Sequence, residues 1–232
     1  MAQATDLRSA AIRSEDASVI GLISAAHFVS HYYILLLPPL FAFIRADYGV
    51  TYTQLGLAIA TFNVVSAAFQ TPTGFLIDRI GARFILIGGL TLGAAAVMVM
   101  GLVPSFWVLV AMMALNGLAN TVYHPADYAI LSHVVAYERM GHAFSVHTFS
   151  GMLGTAVAPA SLLLLQGVLG WRGALVVAAV MGFAVAALLA SQSDRLFDRP
   201  PPGTDARAAH AAHAGDAGWR LLFSWPVLQN LL

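Results

Sequence analysis

The sequence has no cysteine and no lysine, and only 9% of its 232 residues are charged. Without cysteine there is no disulfide, no thiolate metal site and no cysteine nucleophile. Eleven arginines balance eleven acids to zero net charge, too few cations to neutralise a phosphate backbone, so nucleic-acid binding is excluded. Scarce charge beside 59% hydrophobic residues and a mean hydropathy of +0.78 excludes a water-soluble globule, which carries about 25% charged residues. A polytopic membrane protein remains.

The few charges bracket long uncharged runs. There are 28 residues between Asp16 and Arg45, 30 between Asp47 and Asp78, and 43 between Arg83 and Asp127; 32 separate Arg139 from Arg172 and 21 separate Arg172 from Asp194. A helix crosses the hydrocarbon core with about 20 apolar residues. Four runs therefore hold one span each, and the longest, broken by Pro104-Ser105, holds two. The predicted spans are Val19 to Ile44, Leu55 to Ile77, Phe84 to Val103, Phe106 to Val135, His142 to Gln166 and Trp171 to Leu189. They are too long and too evenly apolar for barrel strands, so the expected fold is an all-α membrane protein, a six-helix transmembrane bundle.

Arginines orient the bundle, because cytoplasmic loops retain them. With the N-terminus inside, Arg8, Arg13, Arg79, Arg83, Arg139, Arg195, Arg199, Arg207 and Arg220 lie on the inner side, against Arg45 and Arg172 outside. The expectation is a multi-pass protein of the cell membrane with a cytoplasmic N-terminal tail (1–18) and a bundle over 19–190. A linker follows over 191–218, rich in Pro, Ala and His, and the start of a seventh helix over 219–232, with 12 residues after Arg220. His210 and His213 in the linker read as incidental.

The loop after the second span, Gly74-Phe75-Leu76-Ile77-Asp78-Arg79-Ile80-Gly81-Ala82-Arg83, resembles the G-x-L-x-D-R-x-G-x-R signature of the major facilitator superfamily. Gly74 would allow close helix approach, Gly81 a tight turn, and Arg79 and Arg83 resist translocation; Asp78 would face a helix N-terminus. Asn116 to Tyr128, Met140 to Gly151 and His27 to Tyr32 resemble the fosmidomycin-resistance subgroup. The resemblance implies the N-terminal half of a twelve-helix carrier. It also implies a missing C-terminal six-helix half as partner, and proton-driven export of small, often anionic or drug-like compounds with a proton gradient and no cofactor. Where exporters often carry G-P-x-x-G-G, this sequence reads Ala158-Pro159-Ala160-Ser161-Leu162-Leu163. Gly151, Gly154 and Ala158 still form a small-residue face for close packing.

Polar residues within the spans are the candidate substrate and proton pathway. His27 and His31 lie one turn apart in the first span, with Tyr32 beside them. Asp127 interrupts an otherwise uncharged span, at a cost of roughly 2.5 to 3.5 kcal/mol on insertion scales. His124 precedes it by one turn, and Pro125 frees the carbonyl of Thr121. Asn116, Asn120 and Tyr123 extend that face, with Asn63 and Gln70 on the second span and His147 and Ser150 on the fifth. They would line one aqueous cavity, or simply join helices by hydrogen bonds. The third and sixth spans, nearly free of polar side chains, are expected to face lipid. Tyr32, Tyr33, Trp107, Trp171 and Trp219 read mostly as interface anchors, with Tyr32 and Tyr33 able to face the cavity.

The leading function is a proton-coupled secondary transporter rather than an enzyme, with His124 and Asp127 as the coupling pair. The alternative is a metal-ion permease using His27 and His31. A membrane metalloenzyme fits less well, because a single His pair inside a span is not the set of boxes at one membrane face that such an enzyme needs.

Overall fold

Several helix ends and turns fall at proline or glycine. The computed structural model describes the backbone of residues 2–196 and the side chains of residues 16–196. The expected linker past 196, its histidine pair, Trp219 and the start of a seventh helix lie outside the described residues.

Helix α1 (Ala2–Ile34) begins within the segment read as a tail and ends short of Pro38-Pro39, whose missing amides would leave the carbonyls of Ile34 and Leu35 without donors. A 3-10 turn at Pro38–Leu40 then leads into α2 (Phe41–Tyr48). The single helix expected from Val19 to Ile44 is thus two, the proline pair being the reason. Helix α3 (Tyr52–Ile80) opens on a reciprocal cap between Thr51 and Gln54 and runs on past Pro72. Gly81, at φ 100°, turns the chain directly into α4 (Ala82–Leu102), a backbone conformation that favours glycine.

Ser105 caps α5 (Phe106–Asn120), and after a break at Thr121-Val122 comes α6 (Tyr123–Val134). The expected span from Phe106 to Val135 is therefore two helices. Pro125 sits in the first turn of α6, where an absent amide costs little. A 3-10 turn at Tyr137–Arg139 precedes α7 (Met140–Ser191), and Ser193–Leu196 is a last 3-10 turn.

Among the described residues five helical stretches are long and apolar enough to cross a membrane: Asp16–Tyr48, Tyr52–Ile80, Ala82–Leu102, Phe106–Val134 and Tyr137–Ser191. The last covers both the fifth and sixth expected spans. Inside it Gly170 is non-helical, at φ 72° and ψ 167°.

The core is built on two seams. Helix α1 packs on α7 and α6, while α4 packs on α5 and on α7, and α3 leans on α5. Small residues make these approaches possible: a side-chain carbon at Gly154 would collide with the backbone carbonyl of Phe28, and one at Gly117 with that of Phe62. Two expectations change here. Helix α4 and the C-terminal part of α7 do not simply face lipid, because Gly182 lies against Ala94 and Tyr33, burying one face of each; Phe84, Leu102, Val177 and Val180 remain exposed. Trp171 is buried beside Tyr48 instead of anchoring an interface, whereas Trp107 is exposed.

Ionic contacts gather at two ends. Arg139 holds Asp16, Arg195 donates to Ser18, and Arg83 donates to the Ser193 carbonyl and lies 3.9 Å from Asp194. Elsewhere Arg172 pairs with Asp47 at 2.7 Å and stacks over Tyr48 and Trp171, while Arg45 stacks over Tyr52.

Candidate functional site

The α1–α7 seam brings histidines of two distant segments into contact. His27 and His147 are both buried and stack with ring centroids 3.7 Å apart. The pairing depends on Gly151, one turn beyond His147: a side-chain carbon there would lie 2.6 Å from the His27 ring. Asp127, on α6, completes the cluster with no exposed surface. Its Oδ2 is 3.5 Å from His27 Nδ1 and 3.8 Å from His147 Nε2, longer than a hydrogen bond. Neither carboxylate oxygen has a hydrogen-bond partner among the described residues, and no arginine there lies within ion-pair distance.

His124 is exposed and not the acid's nearest imidazole. Three residues on a helix turn about 300°, which sets the two side chains about 60° apart; Asp127 is buried against His27 and His147 while His124 is exposed. The pairing expected from spacing is corrected to His27 and His147. His124 still edges His27, with centroids 5.2 Å apart, and His31 lies 4.4 Å from His27 and 6.1 Å from His124. His31 Nδ1 is fixed 3.1 Å from the Thr155 hydroxyl. Burial also rules out a solvated, snorkelling Asp127.

The other polar residues divide. Tyr32 is buried with its hydroxyl 2.8 Å from Ser161, and Tyr33 donates to the Ala178 carbonyl. Asn120 donates to Ser66, joining α5 to α3. Asn116 is buried against Gly93 of α4, apart from the histidines, and Asn63 and Gln70 are exposed. Sequence reasoning missed Tyr128, half-exposed with its ring 5.9 Å from His124 and 5.8 Å from His147, and also Thr155. Tyr128 was detectable one turn past His124, and Thr155 one turn past Gly151.

The segment expected as a loop is helical up to Ile80: Asp78 and Arg79 are exposed in the last turn of α3, and Gly81 alone makes the turn into α4. No described residue lies within 4 Å of a carbon built on Gly74, so the close approach expected there is not made within the described bundle.

The Major Facilitator Superfamily profile matches residues 23–232. The chain belongs to this superfamily. It is similar to an uncharacterised MFS-type transporter of Bacillus subtilis, 26% identical over 74% of this chain and 42% of that protein. It is also similar to a probable L-galactonate transporter of Escherichia coli, 25% identical over 62% of this chain and 32% of the relative, and to the fosmidomycin resistance protein of Escherichia coli, 23% identical over 61% and 34%. The match thus spans roughly a third to two fifths of these relatives' own length. Family membership and the apolar helices make this a multi-pass membrane protein.

Proposed function

We propose that the chain is the N-terminal, six-span half of a twelve-helix, proton-coupled carrier that exports a drug-like or small anionic compound by alternating access. The observation that carries the coupling role is Asp127, a carboxylate without exposed surface, set between two buried imidazoles and lacking any hydrogen-bond partner among the described residues. An ionised carboxylate so placed costs several kcal/mol unless a cation or donors reach it. Moving one proton on or off this cluster therefore changes which conformation is favoured, as coupling requires.

Six crossings are favoured by the 55-residue stretch Tyr137–Ser191, which as one straight helix would be about 80 Å long, against a core of ~30 Å. A reversal at Gly170 supplies two spans. Exposed Asp78 and Arg79 are available to a second bundle. The names of two relatives, one for resistance to fosmidomycin and one for L-galactonate, support the substrate class and, in the first case, outward transport.

In the full-length carrier, Asp127→Asn is expected to abolish accumulation driven by a pH gradient while keeping substrate binding and exchange, and His27→Ala to weaken binding chiefly. Both are read by vesicle flux and by equilibrium exchange. Normal pumping by Asp127→Asn would remove the coupling role from this acid.

A further inference from the structure

The structure assigns a divalent transition-metal site to His27, His124, His147 and Asp127, contributed by α1, α6 and α7. This goes beyond the proposed transport cycle and does not depend on its substrate or its coupling ion. One donor nitrogen from each of His27, His124 and His147 lies within 4.8 Å of the others, and Asp127 Oδ2 is 3.5 Å and 3.8 Å from the His27 and His147 nitrogens. A four-coordinate ion with bonds of ~2.0–2.1 Å holds its donors roughly 3.3 Å apart. Asp127 Oδ2 is already near that spacing from the two buried imidazoles, and the exposed His124 would close in to complete the set.

A second observation points to a ligand. His27 Nδ1, both ring nitrogens of His147 and both oxygens of Asp127 are buried without hydrogen-bond partners among the described residues. Histidines kept for packing alone would have found partners, because buried polar atoms are almost always satisfied. Here one unpartnered atom from each of three residues meets the others, Asp127 Oδ2 lying 3.5 Å from His27 Nδ1 and 3.8 Å from His147 Nε2, where one cation would contact all three. The donor set selects the ion. Three imidazoles and one carboxylate, in a chain without cysteine, suit Zn²⁺, Co²⁺ or Ni²⁺ and not Mg²⁺ or Ca²⁺, which take oxygen ligands. The cluster also has an open edge, since His124 and Tyr128, beside His27 and His147, are exposed. The ligand set differs from the His27 and His31 pair that the sequence suggested, since the donor atoms that lie within 4.8 Å of one another belong to His27, His124 and His147.

The test is a Co²⁺ titration of the purified, untagged full-length protein in detergent, in a His210→Ala, His213→Ala background that removes the linker histidines. We expect visible d–d absorption of four-coordinate strength that saturates at one ion per chain and is displaced by Zn²⁺. Asp127→Asn and His147→Ala should abolish it, His124→Ala should weaken binding at least about tenfold, and His142→Ala, an exposed imidazole outside the cluster, should leave it unchanged. Absence of the bands, or bands that survive His147→Ala, overturns the assignment. Should His147→Ala fail to fold, the exposed His124 decides, and unchanged affinity in His124→Ala also overturns it. No gradient enters this measurement, so its failure leaves the coupling proposal standing, and normal pumping by Asp127→Asn leaves the metal site standing.

Discussion

A single missing methyl group holds the histidine stack together. Gly151 leaves room for the His27 ring, and a side-chain carbon in its place would meet Cδ2 and Nε2 of His27 at 2.6 Å and Cδ2 of His31 at 3.1 Å. Neither ring has slack, since His27 is pressed on His147 at 3.7 Å and His31 is tied to Thr155. Overpacking of this kind costs about 1–3 kcal/mol, more than the ~1 kcal/mol that alanine gains over glycine in a helix. Gly151→Ala should therefore lower the thermal unfolding midpoint in detergent and weaken Co²⁺ binding. Gly56→Ala, on the exposed face of α3 with nothing within 4 Å, should hold or raise the midpoint. Equal midpoints for the two variants would remove the steric account. At this scale the sequence displayed the participants but not their pairing. His27 with His31 follows from helical spacing, whereas His27 with His147 needs the α1–α7 seam, a contact between residues far apart in the chain.

Between residue and bundle, the break between α5 and α6 is what aims Asp127. Thr121 closes α5 by donating its hydroxyl to the Leu118 carbonyl, and the same oxygen lies 2.7 Å from the Thr73 hydroxyl of α3. Thr73 has one hydroxyl proton, shared between this Thr121 oxygen and the Phe69 carbonyl 2.8 Å away, next to the backbone position that Pro72 deprives of a donor. Two proline-weakened places in neighbouring helices are thus joined by one buried threonine pair. In a membrane such a bond contributes about 0.6 kcal/mol on average, up to about 1.7 kcal/mol. A double-mutant cycle with Thr73→Val and Thr121→Val, read by unfolding free energy, should give a coupling in that range. Additive effects would mean that the hydroxyls only serve their own helices. Pro125 signalled an interruption in the sequence, but the break falls just before it because proline is tolerated in a helix's first turn and not further in. The split after Ile34 was equally present in Pro38-Pro39, and was hidden by an apolar run that continues across it.

Across the whole molecule, the charge pattern carried most of what could be read without coordinates. The uncharged runs fall mostly within the apolar helical stretches, because a charge at membrane depth is costly; Asp127 and Arg172 are the exceptions well inside them. Arg172, two residues past the non-helical Gly170, marks the boundary between the fifth and sixth expected spans, although the helical stretch Tyr137–Ser191 runs across it. The same pattern sorts the ends of the bundle: Asp16, Arg139, Arg83, Asp194 and Arg195 contact one another or near neighbours, and Arg45, Asp47 and Arg172 form a separate group. The positive-inside rule expects the first group, part of the arginine-rich set, on the cytoplasmic side and the second on the outer side. Because the chain has no cysteine, introduced thiols report on this without background. Ala46→Cys, exposed in α2 beside the second group, should react with a membrane-impermeant maleimide in intact cells. Tyr137→Cys, 88% exposed beside Arg139, should react only after the cells are opened. Neither change touches the histidine cluster, so transport should survive both and certify the fold being labelled. Labelling of Tyr137→Cys from outside, with Ala46→Cys protected, would invert the topology and move the exposed side of the cluster to the opposite end of the transport path.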